Sequence, residues 1–142
     1  MEKLQTFCRE YKIKGVQYYE NLSATNTVIK RSSHRRSSAY FDTKGNLVQL
    51  AIENTKLDKV TLAGFKKLNT LIFKKCSLTR LTLTNLPAMT GLWISDNKSL
   101  ERLDIGNLGK IEILSLTNCG IKELHSLKLP PSIITLPWLK RK

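Results

Sequence analysis

The chain has 142 residues, enough for one domain with a single core, and its compositional extreme is a net charge of +13. No apolar run reaches the length of a membrane-spanning helix. The opening stretch MEKLQTFCREYKIKG mixes acids with bases and lacks a signal peptide's apolar centre, so a cytoplasmic chain is expected. Three cysteines without a secretion signal point to a reducing compartment. Nine basic residues face four acidic ones in residues 1–46, and fifteen face seven in 47–142. A surface basic in both parts attracts an acidic protein, nucleic acid or an anionic membrane, and also keeps the chain dissolved.

Residues 1–46 read as an N-terminal cap. Leu4, Phe7, Cys8 and Tyr11 fall at helical spacing and predict one apolar stripe of a short helix ended by Gly15. Val16, Tyr18 and Tyr19 suggest an extended piece. Residues 30–38, KRSSHRRSS, contain no core-forming side chain. This segment reads as an exposed loop, as a polyanion contact through residues such as Arg35 and Arg36, or as a phosphorylation site at Ser37 or Ser38. A mobile loop that touches phosphate is favoured, and its run of charge would make such contact salt-sensitive. Residues 39–50 then read as a hairpin, with Gly45 and Asn46 supplying the positive-φ turn.

From Leu47 the sequence repeats. Turns 47–67, 68–88, 89–110 and 111–132 align Leu47, Leu68, Met89 and Ile111 in one column. Leu50, Leu71, Leu92 and Leu114 form the next, followed by Ile52, Phe73, Ile94 and Leu116. Later in each turn Val60, Leu81, Leu103 and Leu124 align, as do Leu62, Leu83 and Ile105. Two runs of alternation per turn, with no room for a helix between them, predict a flattened coil with a parallel sheet on each side. No turn can bury its own apolar face, so each depends on its neighbours. Pro130-Pro131, Ile133, Leu136, Trp138 and the tail Lys140-Arg141-Lys142 read as a C-terminal cap that blunts the open end.

The spacing of Leu68, Leu71, Phe73, Cys76 and Leu78 is that of a leucine-rich repeat. The segment LTLTNLPAMTGLWISDNKSLERL, residues 81–103, resembles the short leucine-rich repeats of the Bacteroidetes type almost position for position, and the resemblance runs from Leu47 to about Leu139. It implies a solenoid, in agreement with the alternation. With the cap read from residues 1–46, the expected fold is a mostly β leucine-rich-repeat solenoid with two parallel sheets and an N-terminal helix and hairpin cap. The resemblance also implies that Thr55, Cys76, Asn97 and Cys119 form a buried column, with Asn97 bonding adjacent turns. Cys76 and Cys119 are accordingly read as packing residues. The family shares no catalytic residues.

Period 2 also assigns the outward positions. On the first sheet Ala51, Ile72, Trp93 and Ser115 form the central outward column, beside Gln49, Thr70, Gly91 and Ile113 on one flank and Glu53, Lys74, Ser95 and Thr117 on the other. An outward tryptophan among small residues is the kind of anchor that dominates interfaces. Ile72, Trp93, Ile113 and Lys74 are therefore the candidate partner-binding residues; the competing reading folds the N-terminal segment over them. On the second sheet Lys59, Arg80, Arg102 and Glu123 align, beside Thr61, Thr82, Asp104 and His125. The basic residues of that row would steer an acidic partner. No Gly-rich phosphate loop, paired-Cys motif or His-x-x-x-His spacing occurs, and no nucleophile accompanies Asp104 and His125. The expectation is a non-enzymatic, cofactor-free and metal-free module that binds a protein through one sheet face. The alternative is a polyanion or nucleic-acid binder using the basic row and the 30–38 loop.

Overall fold

A computed structural model describes residues 2–22, 36–106, 108, 110–121 and 127–128. The chain forms a β-solenoid of about four turns, with the helix α1 (Glu2–Glu10) on its N-terminal side. The strands are β1 (Gln17–Leu22), β2 (Ser38–Asp42), β3 (Leu47–Glu53), β4 (Lys59–Ala63) and β5 (Thr70–Lys74). They continue as β6 (Arg80–Thr84), β7 (Gly91–Asn97), β8 (Arg102–Asp104), β9 (Ile113–Cys119) and β10 (Leu127–Lys128). One sheet runs β1-β2-β3-β5-β7-β9 and the other runs β4-β6-β8-β10. Consecutive strands of the coil alternate between sheets, and all their pairings are parallel.

From β3 to β9 the predicted columns are the observed registers. Leu50 pairs with Leu71, Leu71 with Leu92 and Leu92 with Leu114, one residue per turn. These leucines and the matching Ile52, Phe73 and Ile94 are at most 1 % exposed. Burying each such side chain contributes about 1.5–3 kcal/mol, and the contact is made largely with the turns above and below. The chain leaves the first strand of each turn through a left-handed residue: Asn54, Lys75, Asp96 and Asn118 have φ between 50 and 55°. Asn and Asp tolerate that region through short polar side chains; lysine does not share this advantage.

The expected buried column is buried at Cys76 and Asn97 and half-buried at Thr55 and Cys119. The Asn97 side-chain oxygen accepts the N–H groups of Cys76 (3.0 Å) and Leu78 (3.2 Å). Its amide donates to the carbonyls of Ser95 (2.7 Å) and Phe73 (3.4 Å). The Cys76 thiol takes the same place one turn earlier, donating toward the carbonyls of Ile52 (3.2 Å) and Lys74 (3.4 Å). Cys119 repeats the pattern toward Thr117 and Ile94. Burial pushes the Cys76 thiol up to about 12, so it is held as an un-ionised packing group.

The cap differs from the sequence expectation in instructive ways. The β2–β3 hairpin is antiparallel as expected. Only Gly45 carries a positive φ, of 82°. Asn46 instead holds the turn through Asp42, whose carboxylate accepts the Asn46 backbone N–H at 2.9 Å and its side-chain amide at 3.2 Å. Ser37 and Ser38 are 3 % and 1 % exposed, and Ser37 Oγ accepts the Glu53 N–H. They are structural residues at the entry to β2 rather than accessible phosphorylation sites. The extended piece is a full strand, β1, parallel to β2 with a register shift after Tyr19.

Helix α1 closes the other sheet. Leu4 and Phe7 enter the core, and the Lys3 ammonium lies 5.6 Å from the Phe65 ring centre. The Tyr11 hydroxyl accepts the Thr61 N–H at 3.0 Å and donates to the Thr61 carbonyl at 3.3 Å. A side chain thus occupies the place of a neighbouring strand on the edge of β4, the device that a solenoid end requires.

At the far end, Leu127 pairs with Leu103 and Lys128 with Asp104. The repeat period of the sequence instead puts Leu124 opposite Leu103 and His125 opposite Asp104. The last turn is therefore out of register with that period, because its connection is longer than those before it. Glu123, His125, Arg35 and the C-terminal cap with Trp138 lie outside the described residues.

Candidate functional site

Two outer faces carry the residues singled out in the sequence. On the six-stranded sheet, Ala51, Ile72, Trp93 and Ser115 occupy adjacent strands in register, as do Gln49, Thr70, Gly91 and Ile113. The expected columns are in place. Their relief is not the expected one.

Ile72 is 4 % exposed and Ala51 fully buried; Tyr40 and Trp93 pack against them. Ile72 is thus the floor of a small apolar cluster. Tyr40 comes from the cap and stacks on Tyr19, with ring centres 4.7 Å apart and planes 14° from parallel. Burial, followed by the charge of an ionised Tyr19, pushes the Tyr40 hydroxyl up. The indole of Trp93 leans over Gly91: a Cβ there would lie 2.5 Å from two of its ring carbons. Gly91 is therefore a bed for the ring. Ile113 follows Gly91 in that row and is half-buried, as is Trp93 itself.

Lys74 lies opposite Glu53 on the neighbouring strand. Burial pushes the Glu53 carboxyl up, and the nearby charges of Lys74 and Lys75 pull against that shift. Gln49 is 1 % exposed, and neither polar atom of its amide finds a hydrogen-bond partner among the described residues. The aromatic pair Tyr19–Tyr40 was missed in the sequence because the partner strand of β1 lies beyond a long intervening segment.

The four-stranded sheet presents a simpler surface. Lys59 pairs with Arg80 and Arg80 with Arg102, so the three cations stand on successive turns in one row. All three are exposed, and none makes an ion pair with another described residue. The carboxylate of Asp58, next to Lys59 in the chain, accepts a hydrogen bond from the Thr79 hydroxyl. Thr61, Thr82 and Asp104 form the next row. Arg36 is exposed at the entry to β2, in a different sheet from the basic row.

Among the described residues no group of His, Cys, Asp or Glu could hold a metal ion. No helix among them is long and apolar enough to cross a membrane. No protein-family model, curated protein or solved structure matches the chain.

Proposed function

We propose that the chain is a non-catalytic interaction module of the leucine-rich-repeat type that binds an acidic protein segment across its four-stranded sheet. The observation that carries this reading is the row Lys59, Arg80 and Arg102, exposed, in register and without ion-pair partners among the described residues. The attachment points of these cations stand about 4.8 Å apart, which sets like charges side by side. Such an arrangement destabilises a sheet unless an anion meets it. Carboxylates on an extended segment, about 6.4–6.8 Å apart on one face, would meet the row through its long side chains.

Nucleic acid is the weaker ligand for this face. Its described outward residues include threonines, Ala63 and Asp104 but no aromatic ring on which a base could stack. The other face supports a second reading, in which Trp93 and Ile113 anchor an apolar partner over Gly91. Ile72 would contribute there only as the floor beneath Trp93. Free Cys8, Cys76 and Cys119, two of them bonded to backbone carbonyls, fit a reducing compartment such as the cytoplasm.

Binding of an oligoglutamate peptide and of a single-stranded oligonucleotide of equal charge should be compared as salt is raised. The proposal expects the peptide to bind more tightly, Arg80→Glu to weaken it about tenfold, and Trp93→Ala to leave it unchanged. Tighter oligonucleotide binding with a steep salt slope would make this a polyanion binder. Peptide binding abolished by Trp93→Ala but not by Arg80→Glu would move the interface to the other sheet.

A further inference from the structure

We propose that the cleft between α1 and β1 binds a small organic anion that joins a flat ring to a phosphate, of the nucleoside monophosphate class. The cleft is shallow and open to solvent, with a volume of about 710 Å³. Arg9, Lys12 and Lys14 line it, with Cys8, Ile13 and Tyr18 supplying its less polar surface. No carboxylate lines it, and none of the three cations is ion-paired with a described residue. The positive potential is therefore not neutralised from within.

The cleft lies at the C-terminal end of α1, where exposed carbonyls would repel an anion. Three of those carbonyls are already engaged. Phe7 accepts from the Tyr11 N–H, Cys8 from Ile13 and Arg9 from Lys12, at 2.9–3.3 Å. Positive φ values at Lys12 (56°) and Gly15 (71°) turn the chain so that Lys12 and Lys14 both face the same cleft. The Tyr18 ring rests against Phe41, with centres 6.1 Å apart and planes tilted by 31°, and remains 42 % exposed. It offers a supported aromatic surface beside the cations, the combination that takes a ring and a phosphate together.

Cys8 gives the cleft no chemistry of its own. Burial pushes its thiol up, away from the thiolate that a nucleophile requires. The cleft binds and does not react. It is also separate from the row on the four-stranded sheet, so the two sites are independently testable.

Titration calorimetry of the whole chain with adenosine monophosphate, adenosine and inorganic phosphate tests the assignment. Adenosine monophosphate should bind saturably, at least tenfold more tightly than either fragment. Lys12→Glu with Lys14→Glu should weaken it tenfold or more, Tyr18→Ala should remove the advantage over phosphate, and Arg80→Glu should change nothing. Phosphate binding as tightly as the nucleotide would mean an adventitious ion only. Absence of saturation, or equal sensitivity to Arg80→Glu, would mean diffuse attraction to a basic surface. Either result overturns the proposal. All these substitutions are at exposed side chains, and unchanged circular dichroism would confirm that the fold is retained.

Discussion

Replacing Asn97 by alanine tests whether the buried polar column holds the turns together. Its oxygen is the acceptor for two backbone N–H groups of the preceding turn, on the fully buried residues Cys76 and Leu78. Alanine reaches neither. Each buried amide left without a partner costs about 1.5 kcal/mol, so the substitution should destabilise the fold by about 3 kcal/mol. For a chain of this size that is a fall of about 10 °C in the melting temperature. Asn97→Cys should cost roughly half as much, because Cys76 already fills the equivalent place, donating to Ile52 and receiving the Thr55 N–H at its sulfur. Urea unfolding followed by circular dichroism measures both. A loss under about 1 kcal/mol for alanine, or equal losses for alanine and cysteine, would show that the column fills space without binding the turns.

Lys75 occupies a left-handed corner where two other turns use Asn, so Lys75→Asn should stabilise the chain by about 0.5–1 kcal/mol, read from the same unfolding curves. Tyr11→Phe removes the hydroxyl that meets both backbone groups of Thr61. It should cost about 1–2 kcal/mol and speed hydrogen exchange at the Thr61 amide, and unchanged exchange would contradict the capping role. Burial raises the Glu53 carboxyl, so the folded state holds its proton at a pH where the unfolded chain has released it. Stability linked to Glu53 is present below the ordinary glutamate value of 4.5 and is lost as pH rises through the higher folded value. Glu53→Gln should therefore raise the melting temperature at neutral pH and change it little in acid. A melting profile shifted equally at both would refute this.

The solenoid was legible because Leu71, Leu92 and Leu114 recur at nearly constant spacing, and runs such as Leu81-Thr82-Leu83 alternate with polar residues; together these fix period and face. The bonding role of Asn97 was legible only through the resemblance to leucine-rich repeats, which place Asn or Cys in that column. What failed to show were contacts that period cannot encode. Tyr11 reaches Thr61 across fifty positions of sequence. Ile72 sits in an outward column, yet Tyr40 and Trp93 cover it, and alternation gives the direction of a side chain without saying what stands above it. In the last turn both Leu124 and Leu127 could fill an inward place, and the chain uses Leu127 opposite Leu103. The two candidate faces were correctly laid out as rows. Which row remains accessible depended on the cap, whose pairing of β1 with β2 has no periodic signature.

The basic row has a metric property. Lys59, Arg80 and Arg102 each belong to a different turn, so the distance between their attachment points is the step of the backbone ladder, about 4.8 Å. That step is set by hydrogen bonds in the sheet and does not change with the length or flexibility of the side chains. The row is a ruler with one mark per turn. Duplicating residues 68–88 would insert one turn, one arginine and one further step without disturbing the marks on either side. The reach of the surface along a partner is therefore counted in whole repeats, and evolution or an experimenter can lengthen it only by that unit.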